Sequence, residues 1–204
     1  MAVTTDLDIP NGDLRLEAVL RMPDAGAKTV AVICHPHPQR GGDMDNNVVM
    51  IAARAALDAG LAALTFNFRG VGRSTGDHDN GVGETDDARA ALAYARSQKG
   101  IERVVLAGYS FGAGIASTLV SEDVVACALI ACPTQRLGPD TPVATTKTPL
   151  LLISGDRDHV SSVNALLNAK RDGVEVVTVA GADHFWWGHE TALHTTLKGF
   201  FASA

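Results

Sequence analysis

Short runs of consecutive apolar residues alternate along this chain with longer segments of helical character. Thr29-Val30-Ala31-Val32-Ile33-Cys34 has no charged break and is rich in β-branched residues, as a strand covered on both faces requires. Residues 61–68, 103–107, 124–131, 150–154 and 174–179 are further strand candidates, mostly apolar. Between them, Asp45 is placed to cap a helix that runs through 47–59 and stops at Gly60. Residues 84–98 read as an Ala-rich helix, a turn at 108–112 opens another that reaches about Val120, and 161–169 and 190–201 read as two more. Strand–helix alternation of this kind predicts a mostly parallel central sheet flanked by helices on both faces, with right-handed crossovers. The opening segments, Leu7-Asp8-Ile9 and Leu14 to Leu20, read instead as an antiparallel hairpin at one sheet edge. In such a sheet ligands bind at the carboxyl ends of the strands, so reactive residues are expected just after the apolar runs.

Composition narrows the class without naming a chemistry. The 204 residues suit a single α/β domain over 1–204, 46% of them hydrophobic and 20% charged. The net charge of -6, with no cluster of Lys or Arg, argues against a nucleic-acid partner or an anionic membrane surface. The longest apolar stretch, Val124 to Cys132, is far short of the roughly 20 residues a bilayer-spanning helix needs. Met1 to Asp6 lack the basic and apolar regions of a signal peptide, so a cytoplasmic location is expected. The three cysteines, Cys34, Cys127 and Cys132, sit in apolar surroundings and are expected to be buried, reduced thiols.

Four signals fall just after predicted strands. Gly108-Tyr109-Ser110-Phe111-Gly112 matches G-x-S-x-G between a strand and a helix. The glycines leave room for a strained turn that lifts the Ser110 hydroxyl and aims a helix N-terminus at it. A Gly-rich turn could equally serve close strand–helix packing, so the motif gains its weight from the strand–turn–helix context. Gly155-Asp156-Arg157-Asp158 follows the run at 150–154 and offers an acid to orient an imidazole. Of its two aspartates, Asp158 lies further round the turn and is preferred, and Asp156 is given a loop or capping role. Gly181-Ala182-Asp183-His184-Phe185 follows the last run and makes His184 the general-base candidate, with His189 as its rival. His78 lies in a polar loop, His194 in a helix, and His159 adjoins Asp158 too closely to turn back on it. The order Ser110, Asp158, His184 is that of α/β-hydrolases and of neither chymotrypsin nor subtilisin.

The fourth signal is Cys34-His35-Pro36-His37-Pro38-Gln39-Arg40-Gly41-Gly42. Prolines cannot donate, so the backbone N–H of His37 is the expected oxyanion donor from this loop, with the N–H of Phe111 as its partner. His35 and His37 could share a face as metal ligands, but no third ligand is placed by the sequence, so a loop-shaping role and no metal or organic cofactor are expected. Phe66 to Ser74 ends a strand in a Gly-rich turn that lacks the glycine and lysine spacing of a nucleotide loop, and Arg69 is expected to be hydrogen-bonded inside it. Phe185, Trp186 and Trp187 follow the base, and Trp186 and Trp187 are the candidates for pocket walls, with core packing as the alternative.

On these residues the chain resembles the α/β-hydrolase superfamily, and within it the short, capless bacterial hydrolases. The motifs that carry the likeness are H-P-H-P (His35 to Pro38), G-G-x-M-x-N (Gly41 to Asn46), F-N-F-R-G-V-G-x-S (Phe66 to Ser74), S-F-G (Ser110 to Gly112) and D-H-F (Asp183 to Phe185). The resemblance implies a cofactor-free serine hydrolase acting on ester or related acyl bonds of a small-molecule substrate through Ser110, His184 and Asp158. Two departures stand out: proline and histidine replace the more usual H-G of the oxyanion loop, and Asn67 stands where many relatives carry Asp. The segment between Ala131 and Pro149 is too short for a helical cap domain, so an open site is expected. The same triad could serve a thioesterase or acyltransferase, the fold also hosts non-catalytic ligand-binding members, and homodimerisation through an edge strand or late helix stays open.

Overall fold

The computed structural model describes residues 2–204. These build one eight-stranded sheet: β1 (Ala2–Asn11), β2 (Leu14–Pro23), β3 (Thr29–Cys34), β4 (Ala62–Phe66), β5 (Arg103–Tyr109), β6 (Ala126–Ile130), β7 (Leu150–Gly155) and β8 (Val174–Val179), in the order β1-β2-β4-β3-β5-β6-β7-β8. β1 and β2 form an antiparallel hairpin, β2 pairs antiparallel with β4, and every pairing from β4 to β8 is parallel. Six helices fill the connections: α1 (Asn47–Asp58), α2 (Val82–Ser97), α3 (Phe111–Thr118), α4 (Pro142–Thr145), α5 (Val163–Asn168) and α6 (Glu190–Ala202).

The unbroken apolar runs become strands with two buried faces. All six residues of β3 are buried, and their alternation divides them between two cores. Val30, Val32 and Cys34 join the core beneath α2 and α3, while Ala31 and Ile33 join the one beneath α1 and α6. On α1 the side chains that reach the sheet are Val48, Val49 and four alanines, small enough to let α6 pack alongside. The helix stop at Gly60 is a left-handed turn (φ 85°), with the Leu61 N–H donating to the Ala56 carbonyl. The expected cap is off by one residue. Asn46, not Asp45, accepts from the Val48 N–H, while the Asp45 N–H itself donates to Asp43.

The hairpin strands are each ten residues, longer than the sequence pattern suggests. β1 is an edge strand whose side chains are mostly exposed, so backbone pairing with β2 extends it where no apolar period could signal it. The segment 131–149 holds only a 3-10 turn (Thr134–Arg136) and the four-residue α4, so no cap covers the strand ends there. All three cysteines are free and buried, and burial pushes the Cys132 thiol up to about 12 and the other two still higher. They therefore stay as inert thiols at neutral pH. Among the described residues no helix is long and apolar enough to cross a membrane.

Candidate active site

The strand order reverses direction at β3, which has β4 on one side and β5 on the other. A crevice opens at the carboxyl end of such a switch point, and the singled-out residues converge there. Ser110 immediately follows β5, Asp158 follows β7, His184 follows β8 and His37 follows β3. Ser110 is held at φ 55° and ψ −117°, a conformation an L-residue adopts only under strain. The turn survives because its neighbours are glycines. A Cβ on Gly108 would strike the backbone of Gly112, and one on Gly112 would strike the carbonyls of Cys34 and His35. The Ser110 N–H donates to the Ile130 carbonyl at 2.9 Å, which ties the turn to the neighbouring strand.

The Ser110 Oγ lies 2.9 Å from His184 Nε2, and His184 Nδ1 lies 2.9 Å from Asp158 Oδ2. An ionised carboxylate only accepts, so His184 carries its proton on Nδ1 and leaves Nε2 to accept from the serine hydroxyl. The Asp158 side chain is fully buried. Burial alone would raise its pKa, yet His184 and the backbone N–H groups of Ser161 and Val160 outweigh that and hold it below the usual carboxylate value. The Val160 and Ser161 N–H groups occupy Oδ1 at 2.7 and 3.0 Å, while Oδ2 meets the imidazole and, at 3.3 Å, the Ser154 hydroxyl. Tyr109 Oη donates to the His184 carbonyl at 2.7 Å and fixes the loop that carries the ring. Reasoning from sequence passed over Tyr109 because it occupies the variable position of the serine motif.

Several of the other acids and histidines serve elsewhere. Asp156 accepts from the Gly181 N–H at 2.7 Å and braces the turn before His184 rather than contacting it. His189 precedes α6, and His194 pairs with Asp58 at 3.1 Å. His78 lies beside the His37 and Phe111 rings, with its Nδ1 2.8 Å from the buried carboxylate of Glu84. Asn67 donates to Glu17 Oε2 and accepts from the Met44 N–H, both at 2.8 Å, so an aspartate there would lose one bond and face a second carboxylate. Arg69 is bonded not within its own turn but to Asp87 of α2, at 2.8 Å.

The loop after β3 turns on itself. The Arg40 and Gly42 N–H groups both donate to the His37 carbonyl. The Phe111 N–H, first in α3, has no acceptor within its helix. Among the described residues none of the turn and loop hydrogen bonds uses the His37 or Phe111 N–H. The His37 and Phe111 rings lie 4.9 Å apart, tilted at 42°. His35 is fully buried and shapes the loop. Its Nδ1 donates to the Pro36 carbonyl at 2.7 Å and its Nε2 accepts from the Phe68 N–H at 3.0 Å. The Nε2 bond needs the neutral ring, and burial pushes its pKa down to about 4 against the opposing pull of the Pro36 carbonyl. Because the unfolded chain would bind that proton at about 6.5, stability falls as pH drops from 6.5 towards 4 and levels off below. We expect urea unfolding to show a loss of about 2 kcal/mol from this residue between pH 7 and pH 5. His35→Gln, whose amide can replace both bonds, should flatten that slope, and an unchanged slope would contradict the assignment.

A cleft of about 1160 Å³ opens over Ser110, walled by Pro36, His37, Phe111, Pro133, Val160 and Phe185 among others. Neither tryptophan proposed as a wall lines it. Trp186 is fully buried in the core beneath α1 and α6, and Trp187 points into solvent at 69% exposure. The cause is local: Asp183 accepts from the Phe185 and Trp186 N–H groups, and Trp186 takes φ 66°, which turns its side chain inward and leaves Phe185 at the cleft. Among the described residues no cluster of three or more His, Cys, Asp or Glu could hold a metal ion.

Residues 32–148 match the α/β-hydrolase fold family. An uncharacterized protein of Rickettsia prowazekii is 35% identical over 170 residues, covering 77% of this chain and 71% of that one. An α/β serine hydrolase homologue from Coxiella burnetii superposes with a TM-score of 0.85 at 33% identity, over 96% of both chains. A lidless α/β serine hydrolase from Xanthomonas campestris does so with a TM-score of 0.82 at 30% identity, over 97% of this chain and 92% of that one. Fold, sheet order and sequence agree, and the chain belongs to the α/β-hydrolase family.

Proposed function

We propose that the protein is a serine hydrolase that cleaves carboxylic esters or related acyl bonds of small substrates, with Ser110 as nucleophile, His184 as general base and acid, and Asp158 as the group that orients and stabilises the imidazolium. The observation that carries this reading is the continuous hydrogen-bonded path Ser110 Oγ–His184 Nε2 and His184 Nδ1–Asp158 Oδ2, 2.9 Å at each link, opening onto an uncapped cleft. Two relatives at 30% identity or more are themselves described as serine hydrolases or homologues of them, which supports it.

In this mechanism Ser110 Oγ attacks the acyl carbonyl while His184 Nε2 takes its proton. The negative charge that develops on the carbonyl oxygen is met by the backbone N–H groups of His37 and Phe111. His184 then returns the proton to the departing alcohol, leaving an acyl-serine. A water that gives its proton to His184 repeats the attack and frees the acid and Ser110. The strained backbone at Ser110 serves this chemistry by presenting the hydroxyl before any substrate arrives.

A fluorophosphonate probe tests the reading directly. Intact mass should show one adduct on the native protein, peptide mapping should place it on Ser110, and the Ser110→Ala protein should carry none. If well-folded native protein takes no adduct, the serine is not activated and a ligand-binding role without catalysis replaces this proposal.

A further inference from the structure

Two arginines that line the cleft have no partner among the described residues. Arg40, in the loop after β3, and Arg157, in the loop after β7, both line the cavity over Ser110. Their backbones are fixed, by the Arg40 N–H on the His37 carbonyl and the Arg157 N–H on the Ala182 carbonyl, each at 3.0 Å. Among the described residues their guanidinium groups make no ion pair or hydrogen bond, whereas the arginines of the adjoining turn are engaged, Arg69 by Asp87 and Arg73 by Glu17. Asp183, the one acid in the lining, already accepts from two backbone N–H groups, and Asp158 is buried behind His184. His37 and His159 add ring nitrogens to the same wall. The lining thus carries two arginines against one carboxylate, in a chain whose net charge is -6.

We infer that the substrate carries an anionic group, a carboxylate or phosphate, held by Arg40 and Arg157 while its acyl carbonyl lies at Ser110. The inference rests on the hydrolase reading for the chemistry but not for the binding. A guanidinium offers a planar fork matched to two oxygens of either anion, and two forks from opposite loops can grip the non-reacting end of a small ester. The apolar parts of the cleft, Phe111, Val160 and Phe185, are left to cover the linking carbons. The anion can sit on either side of the scissile bond: on the acyl group, as in a half-ester of a dicarboxylic acid, or on the leaving group, as in an ester of a phosphorylated alcohol.

Calorimetric titration of the Ser110→Ala protein separates binding from turnover. The four probes are p-nitrophenyl hydrogen glutarate for the acyl-side anion, 2-acetoxyethyl phosphate for the leaving-group anion, and p-nitrophenyl pentanoate and 2-methoxyethyl acetate as their neutral counterparts. At least one anionic probe should bind about 10-fold or more tightly than its counterpart. That preference should shrink by a similar factor in Arg40→Gln/Arg157→Gln, and also when salt is raised from about 0.05 M to about 0.5 M. The probe that shows it identifies the side that bears the charge. Equal affinity within both pairs, or a preference that survives the double substitution, overturns the inference. Neither result touches the hydrolase proposal, which fails only if native protein is unlabelled by the fluorophosphonate.

Discussion

Ser110→Ala and His184→Ala are each expected to lower kcat by about a million-fold, and the double variant should be no slower than either alone. The two side chains act as one unit: without the imidazole the hydroxyl stays protonated, and without the hydroxyl the imidazole has nothing to deprotonate. Asp158→Asn should cost about 10⁴-fold in kcat, for a different reason. The Asn amide would donate to His184 Nδ1, force the ring into the other tautomer and turn Nε2 from an acceptor into a donor facing Ser110 Oγ. Asp156→Asn should be far milder, because its remaining oxygen can still accept from the Gly181 N–H. Initial rates on p-nitrophenyl acetate, with circular dichroism to show that each variant folds, decide the matter. If Asp156→Asn proves the slower of the two, Asp158 is not the orienting acid.

That ranking rests on an assignment the sequence could only prefer, and the reason shows where such reading stops. Strands β3 and β7 are legible because burial on both faces demands unbroken apolar runs, and the sequence carries them. The residues after those runs must then lie at one edge of the sheet, which is why Ser110, Asp158 and His184 could be named together. Which side chain turns inward after the last strand is another matter. Phe185, Trp186 and Trp187 are equally apolar, and only the hydrogen bonds on Asp183 and the positive φ at Trp186 decide between core, cleft and solvent. The buried carboxylates were equally hidden. Glu84 reads as an ordinary helix-start acid, yet it accepts from the Asp79 and Gly81 N–H groups at 2.8 and 2.6 Å and faces His78. Asp87 sits in a charged stretch of α2 that suggests a solvated face, and its partners lie 18 and 76 residues away.

Asp87→Ala should be among the most destabilising single changes in the chain. Its side chain is fully buried and accepts from the Arg69 backbone N–H at 2.9 Å, from the Arg69 guanidinium at 2.8 to 3.1 Å, and from Asn11 Nδ2 at 2.8 Å. One carboxylate therefore joins α2 to the end of β1 and to the turn after β4. Removing it strands a guanidinium that is only 16% exposed, and breaking a buried pair from one side costs about 3–5 kcal/mol. In a protein of this size that is a drop of roughly 10 °C in melting temperature. The guanidinium cannot swing away easily, because it lies across Gly83 so closely that a Cβ there would collide with it. Gly83→Ala should therefore destabilise through the same pair, and the two changes together should cost less than their sum. Asp86→Ala, one residue away, is the control. Asp86 is exposed and pairs with exposed Arg89, so its loss should stay within about 1 kcal/mol. Thermal and urea unfolding of the four proteins test this, and an Asp87→Ala protein as stable as Asp86→Ala would mean that α2 is held by its apolar face alone.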